Sequence, residues 1–217
     1  VAFMAIGSYT MAILVVKSGW SMWLAAPAAV VASAAAGVVL GLGTLRLRAD
    51  YFAIVTIALS EIVRYVATNE DRLTGGSQGT INLAGAEEAS DYNSQWQRFQ
   101  DWFQGALHLG SKDVAMLLLV WAVALVLTAL VALSIRTPWG RVLRAIREDE
   151  DAAASLGKNV LAYKLQAPAI GAGLAGIAGC FYAWQFSFFS PDDFQPLLTF
   201  AWIAVDNAVY LYAPVRF

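Results

Sequence analysis

The sequence predicts an all-α polytopic membrane protein with about six transmembrane helices. Of its 217 residues, 59% are hydrophobic and 14% are charged, whereas soluble domains contain roughly half and roughly a quarter. The hydrophobic residues are also contiguous. The runs from Met22 to Leu45 and from Val114 to Ile135 hold 24 and 22 residues without a charge, and a helix needs about 20 to cross a bilayer. Composition and run length together exclude an ordinary soluble domain.

Six apolar segments follow one another and form a single membrane domain over residues 1–217. They cover approximately residues 1–16, 22–45, 50–67, 114–135, 163–186 and 196–214. The third segment is the least regular, because Glu61 and Arg64 interrupt it. The chain starts at Val1 in sequence that is already apolar and shows no signal-peptide pattern. We therefore expect the N-terminus of the natural protein to lie further upstream.

Basic residues in the connections predict the orientation, because short cytoplasmic loops are enriched in lysine and arginine. Arg46 and Arg48 follow the second segment, whereas residues 69–113 carry three basic residues against seven acidic ones. A second basic group lies between the fourth and fifth segments: Arg136, Arg141, Arg144, Arg147, Lys158 and Lys164. If the third segment crosses, both basic groups face the cytoplasm and residues 69–113 are extracytoplasmic. If it does not, the two basic groups face opposite sides, so the charges favour a crossing.

The extracytoplasmic stretch, residues 69–113, is too long for a plain connection. Its second half, SDYNSQWQRFQDWFQG, places four aromatic residues at helical spacing: Trp96, Phe99, Trp102 and Phe103. Two arrangements fit, an amphipathic helix lying along the outer membrane interface or a small cap packed on the ends of the membrane helices.

The glycine-rich start of this stretch, LTGGSQGTINL, is not a Walker A loop, because it lacks the Gly-Lys-Ser/Thr ending of that motif. We therefore expect any ATP-binding site to belong to another subunit.

Small residues recur four apart in the fifth segment, AIGAGLAGIAG, and again at Gly37 and Gly41 of the second. Small residues at this spacing let helix backbones approach each other closely in lipid. We interpret them as helix-packing positions, and a role in lining a substrate pathway is the alternative. Both interpretations predict that these two segments lie inside a bundle.

One compact charged segment, TPWGRVLRAIREDEDAAASLG (137–157), separates the fourth and fifth apolar segments. Pro138 suits the first turn of a helix, Gly157 is a natural stop, and small apolar residues recur between them. The segment therefore predicts one or two short amphipathic helices in the cytoplasm. Its arginines recur three apart on one face, suited to anionic lipid or to a partner's carboxylates: Arg141, Arg144 and Arg147. Membrane orientation explains these arginines but not the four consecutive acids that follow them.

The end of this segment, DAAASLG (151–157), resembles the EAA motif of bacterial ABC importer permeases, an acid, two alanines and a glycine four residues later. Two longer stretches, RLRADYFAIVTIALSEIVRYVATNEDRLTGGSQGTINL and TPWGRVLRAIREDEDAAASLGKNVLAYKLQAPAIGAGLAGIAGCFYA, are similar to branched-chain amino acid ABC transporter permeases of the LivM type. The two stretches occur in the right order and separation. The resemblance covers most of residues 1–200.

This resemblance implies a multi-pass subunit of the bacterial inner membrane that transports branched-chain or related amino acids. The implied partners are a second permease subunit, two cytoplasmic ATPase subunits and a periplasmic substrate-binding protein. Within residues 136–160 it implies a coupling helix that docks into a cleft of the ATPase. The small side chains of its alanines would allow the helix to enter that cleft. The residues of this coupling segment are Asp151, Ala152, Ala153 and Gly157, with Arg144 and Arg147 beside them. The chain itself is expected to have no catalytic residue and no cofactor.

Glu61 and Arg64 are the charged pair of the third apolar segment. They lie three residues apart, hence on one helix face, where they can pair. Charges at membrane depth are costly, so a functional role is the default hypothesis. The sequence leaves two such roles open: an ion pair that fixes helix packing or an outer gate, and direct contact with a zwitterionic amino acid.

The cysteine and histidine content and the net charge exclude several classes of function. A single cysteine, Cys180, and a single histidine, His108, offer neither a disulfide framework nor a metal site, and a net charge of −2 carries no nucleic-acid footprint. Three alternatives to a branched-chain amino acid permease stay open. They are a similar permease for urea or short amides, a proton-coupled secondary transporter using Glu61, and a structural membrane protein. The second predicts internal repeats, which the sequence does not display.

Overall fold

A computed structural model of the chain describes residues 1–44, 49–79, 95–106, 111–186 and 188–195. Within these ranges the regular structure is helical and no strand occurs, which confirms the all-α prediction. The helices are α1 (Ala2–Ser18), α2 (Met22–Thr44), α3 (Ala49–Asn69), α4 (Asp71–Thr74), α5 (95–106), α6 (Lys112–Arg136), α7 (Pro138–Glu148), α8 (Glu150–Ser155) and α9 (Val160–Phe186). Two 3₁₀ turns, Gly76–Gln78 and Pro191–Phe194, follow α4 and α9. We call the second one the return turn.

Three helices in the described ranges are long and apolar enough to cross a membrane: α2, α6 and α9. Helix α1 is apolar but has only 17 residues. The predicted sixth segment, 196–214, lies outside the described residues. A polytopic membrane protein is therefore supported, and the count of six spans stays a prediction.

Helices α1, α2 and α9 form the core bundle, and glycines set how closely they pack. A Cβ atom on Gly7 of α1 would lie 2.7 Å from the carbonyl oxygen of Gly176 in α9. One on Gly37 of α2 would lie 2.6 Å from the carbonyl oxygen of Pro168 in α9. Real Cβ contacts are longer than this, so the backbones meet only because the side chains are absent. The helix-packing interpretation of these small residues is confirmed.

Two serines add hydrogen bonds between the same helices. Ser8 of α1 donates to the carbonyl oxygen of Gly179 at 2.9 Å, and Ser33 of α2 donates to the carbonyl oxygen of Phe3 at 3.1 Å. Both serines are fully buried. Such interhelical bonds contribute about 0.6 kcal/mol each in membrane proteins. The two bonds therefore add modestly to the stability of the bundle and help to fix the register of the helices.

Helices α2 and α9 run antiparallel, which gives the bundle two distinct ends. Gly41, near the end of α2, faces Leu165 near the start of α9. At the opposite end, the Cys180 thiol of α9 lies 3.9 Å from the carbonyl oxygen of Ala26 in α2. We call the end formed by the last turn of α2 and the first turn of α9 the basic end. The end formed by the first turn of α2 and the last turn of α9 is the aromatic end.

Helix α3 connects these two ends. It begins at Ala49, five residues after the last residue of α2, and therefore starts at the basic end. Further along, Arg64 hydrogen-bonds Asp192 of the return turn, which follows α9 at the aromatic end. The helix has 21 residues, which span roughly 30 Å at about 1.5 Å per residue, the thickness of a hydrocarbon core. The geometry thus supports a crossing by the third segment.

Helix α5 covers the aromatic end. Trp96 stacks on Trp184 of α9 with 4.9 Å between ring centroids, and Phe99 meets Trp23 of α2 edge-on at 5.2 Å. The side-chain oxygen of Gln95 accepts a hydrogen bond from the first backbone N–H of α2 at 2.9 Å. The helix predicted from the aromatic spacing is confirmed, and of its two arrangements the structure shows the one packed on helix ends.

Candidate functional site

The charged segment folds into two helices at the basic end, α7 and α8, separated at Asp149. Pro138 occupies the first turn of α7 as its sequence position predicts. Gly140 lies so close to the backbone of Ile135 that a Cβ atom would overlap its carbonyl group. The corner between α6 and α7 is therefore tight, and α7 leaves α6 in a defined direction.

Helix α7 is amphipathic and is tied to α9. Ile146 is buried, whereas the arginines lie on the more exposed side: Arg141, Arg144 and Arg147. The indole N–H of Trp139 donates to the side-chain oxygen of Gln166 in α9 at 2.6 Å. Apolar burial on one face and a hydrogen bond to the neighbouring helix hold α7 against the bundle.

The acidic run has a local structural role at the start of α8. Asp149 is the N-cap, and its carboxylate accepts the backbone N–H of Ala152 at 2.9 Å, a bond whose loss costs about 1 kcal/mol. Glu150 and Asp151 occupy the first turn, where negative charge is favoured by the helix dipole. Glu150 also forms an ion pair with Lys164 of α9. The acids thus start the short helix and attach it to α9.

Gly157 ends α8 as predicted. Its φ is +75°, in the left-handed region. The N–H of Gly157 donates to the carbonyl of Ala154 at 2.9 Å, and that of Lys158 donates to the carbonyl of Ala153 at 3.3 Å. These two bonds form a Schellman motif, which gives α8 a fixed end after six residues.

The side chains of α8 divide into one that faces its own chain and several that face outward. Ala153 is only 3% exposed, so it packs inside the protein and its surface is not free for another molecule. Asp151 and Ala152 are exposed. Leu156, next to the glycine, is 79% exposed, the highest value among the large hydrophobic side chains of the described ranges. All of the predicted coupling residues except Ala153 are thus exposed, and Leu156 adds an exposed apolar side chain beside them.

A second charged group lies towards the aromatic end and joins three residues. The Nε of Arg64 is 3.2 Å from both carboxylate oxygens of Glu61, as the three-residue spacing predicts. The Nη1 of the same guanidinium is 3.0 Å from Asp192 of the return turn. Sequence reasoning missed Asp192, because 128 residues separate it from Arg64 and no local pattern links them. The third partner makes Arg64 a connection between α3 and the return turn.

The described ranges offer few side chains that could bind a metal ion or a cofactor. They contain no group of three or more His, Cys, Asp or Glu side chains placed to hold a metal ion. Cys180 is a buried free thiol between α9 and α2, and His108 lies outside the described residues. The charged groups at the two ends of the bundle are therefore the candidate functional residues.

A family model described as "Branched-chain amino acid transport system / permease component" matches residues 1–205. The chain is 41% identical over 200 residues to the high-affinity branched-chain amino acid transport system permease protein LivM of Salmonella typhimurium, and 38% identical over 200 residues to its namesake from Escherichia coli. A probable branched-chain amino acid transport permease protein LivM of Methanocaldococcus jannaschii is 25% identical over 147 residues. No solved structure matches the chain.

The alignments cover most of this chain but less of its relatives. They include 88% of the chain for the two bacterial proteins and 68% for the archaeal one. They include 47% of each bacterial protein and 37% of the archaeal one. The chain thus spans about half the length of the curated relatives it matches.

Proposed function

The chain belongs to the family of branched-chain amino acid transport permease components, and on that premise we propose that it forms part of the membrane pathway of an ATP-binding cassette importer. Its cargo would be branched-chain amino acids, in keeping with the names of its bacterial relatives. The partners would be a second permease subunit, two cytoplasmic ATPases and a periplasmic binding protein in a bacterial inner membrane. The ATPases would hydrolyse ATP, and this chain would carry no catalytic residue.

The observation that carries this proposal is the exposed edge of α8. An acid, an alanine and a leucine are exposed at the end of a short capped helix, between two helices long enough to cross a membrane: Asp151, Ala152 and Leu156. Leu156 is the most exposed large hydrophobic side chain of the described ranges, and its burial in a partner would contribute roughly 1.5–3 kcal/mol. The segment fits docking into an apolar cleft of the ATPase. Arg144 and Arg147 would flank the contact.

Movement of the docked segment would pass mainly to α9. Within the described ranges two polar links join the segment to α9, Trp139 to Gln166 and Glu150 to Lys164. Two residues further along α9, Pro168 packs against α2 at Gly37 and Gly41. A displacement of α7 and α8 during ATP binding would therefore tilt the start of α9 and alter the α2–α9 contact. In this way ATP binding would change access to the pathway.

The proton-coupled alternative is less favoured by the geometry. A proton carrier must exchange its proton with a water-filled pathway, whereas Glu61 accepts three hydrogen bonds from the Arg64 guanidinium. Charge-assisted bonds of this kind are among the stronger hydrogen bonds, and here they tie the carboxylate to its own helix. Glu61 is better suited to hold α3 in place.

The docking proposal is tested by adding bulk to each face of α8. Ala152→Trp is expected to release the ATPase from the purified permease, because Ala152 faces outward. Leu156→Asp should act likewise by placing a charge in an apolar contact. Ala154→Trp is the matched control, an alanine that is also exposed but lies at a variable position of the motif and on another side of the helix. Full ATPase retention and normal uptake in both test variants would contradict docking by this edge.

A further inference from the structure

A cleft of about 500 Å³ opens beside the return turn at the aromatic end of the bundle. Its walls combine two carboxylates, an amide, two aromatic rings, a thioether and the first residue of the chain: Asp192, Asp193, Gln195, Tyr182, Phe194, Met4 and Val1. This volume lies within the range of small-molecule sites, roughly 300–1,000 Å³. The polar groups belong to the turn, whereas Met4 and Tyr182 come from α1 and α9, so the cleft has one charged side and one apolar side.

The charged side has a fixed geometry but is not saturated. Asp193 accepts the backbone N–H of Ser190 at 2.8 Å in a capping box, and one oxygen of Asp192 accepts from Arg64 at 3.0 Å. Each carboxylate can accept further bonds. Both side chains are exposed to the cleft side of the turn. Two carboxylates held in place at the cleft favour a ligand that carries a positive charge.

The apolar side is rigid. Tyr182 and Phe194 meet edge-on with 5.5 Å between ring centroids, and the buried Tyr9 packs behind Phe194 at 5.9 Å. The aromatic wall offers a surface for a branched aliphatic side chain.

We infer that this cleft, formed by the return turn with α1 and α9, binds the amino acid cargo during translocation. The α-ammonium group would bind Asp192 and Asp193, and the branched side chain would lie against Phe194, Tyr182 and Met4. Non-helical backbone in membrane transporters characteristically lines such sites. The inference rests on the proposed function, and it assigns the ammonium pole to two residues that the sequence did not single out.

The direct test is protection of a cysteine placed at the cleft. In a Cys180→Ser permease assembled with its partner subunits, Gln195→Cys would be alkylated with a small thiol reagent in the presence of increasing leucine. Leucine is expected to slow alkylation in a saturable manner. Leucine amide, which keeps the ammonium group, should protect, whereas 4-methylpentanoate, which lacks it, should not. Gln185→Cys is the matched control, an exposed glutamine that lines a different cleft, near Trp96.

Asp192→Asn should raise the half-protecting concentration of leucine by about tenfold, since it removes one charge-assisted hydrogen bond. Asp113→Asn, a carboxylate at the other cleft, should leave that concentration unchanged. Absence of protection at position 195, equal protection at 185 and 195, or equal protection by 4-methylpentanoate would each overturn the assignment. ATP-driven leucine uptake is measured in the same preparations. If uptake is normal without protection, only the cleft assignment fails, whereas absence of uptake in the parent protein would overturn the proposed function and the cleft with it.

Discussion

Replacing Gly157 by valine isolates the contribution of the α8 terminus, because the effect must come from the backbone. The glycine has a φ of +75°, a conformation that β-branched residues rarely adopt. Space is not the obstacle, since no atom lies within 4 Å of the position a Cβ would take. With valine at this position, the backbone either keeps the left-handed conformation or leaves it. In the second case the hydrogen bonds that end the helix are lost.

Both options carry a cost of similar size. A left-handed conformation costs a non-glycine residue roughly 1–2 kcal/mol. Leaving it sacrifices the Schellman bonds from Gly157 to Ala154 and from Lys158 to Ala153, each with a net contribution of about 0.5–1.5 kcal/mol. Helix α8 has six residues and is too short to persist without its ends. A change of about one to two kcal/mol shifts the ratio of folded to frayed helix by about 5- to 30-fold.

The assay combines hydrogen exchange with ATPase retention. In Gly157→Val, the amides of residues 152–158 should exchange faster by about that factor, and less ATPase should remain bound during purification in detergent. Gly157→Asn should retain most of the ATPase, because asparagine tolerates the left-handed conformation. Gly43→Val is the matched control, with an ordinary φ and no atom within 4 Å of the added Cβ. Parental exchange rates and full ATPase retention in Gly157→Val would show that α8 does not depend on a left-handed terminus.

Three further predictions concern the bundle and its orientation. Arg64→Gln should lower the melting temperature of the purified permease more than Glu61→Gln does, because it leaves two carboxylates without their shared partner, whereas Glu61→Gln leaves Arg64 bound to Asp192. Gly176→Leu should lower the yield of folded protein, because even a Cβ there would lie 2.6 Å from a serine hydroxyl of α2, and overpacking costs roughly 1–3 kcal/mol. In a cysteine-free background, Gln97→Cys and Lys158→Cys should label from opposite sides of the membrane in intact cells.

Each of these predictions has its own contrary outcome. An equal or smaller loss in Arg64→Gln than in Glu61→Gln would mean that the bond to Asp192 does not hold the return turn against α3. Gly171→Leu is the control for the bundle, since nothing lies within 4 Å of a Cβ there. Equal yields from Gly176→Leu and Gly171→Leu would contradict the close approach of α1, α2 and α9. Labelling of both engineered cysteines from one side would rule out the crossing by α3.

The sequence predicts those structural features that depend on a local pattern of residues. Contiguous apolar residues predicted α2, α6 and α9, and aromatic spacing predicted α5. Pro138 and Gly157 marked the limits of the charged segment because each has a restricted or unusual backbone conformation. These features depend on residues within one or two helical turns, so they can be recognised without knowledge of the tertiary fold.

Contacts between residues far apart in the chain could not be predicted from the sequence. Asp192 joins Arg64 across 128 residues, and nothing near Asp192 indicates which helix it meets. The motif around α8 also does not reveal that Ala153 faces its own chain while Ala152 faces outward, because that depends on how α8 lies against α7 and α9. A local signal does exist for Asp149. An aspartate immediately before a helical run is a common N-cap, and this role accounts for an acid at the start of α8.

ATP-driven uptake in proteoliposomes is the decisive measurement for an importer that is coupled through α8. The permease would be reconstituted with its second permease subunit and the two ATPases, with binding protein and radiolabelled leucine on one side and ATP on the other. We expect accumulation of leucine that requires ATP, persists when the proton gradient is collapsed, and is lost in Ala152→Trp but not in Ala154→Trp. Accumulation driven by a proton gradient without ATP would contradict the importer, and equal uptake by the two tryptophan variants would contradict coupling through the exposed edge of α8.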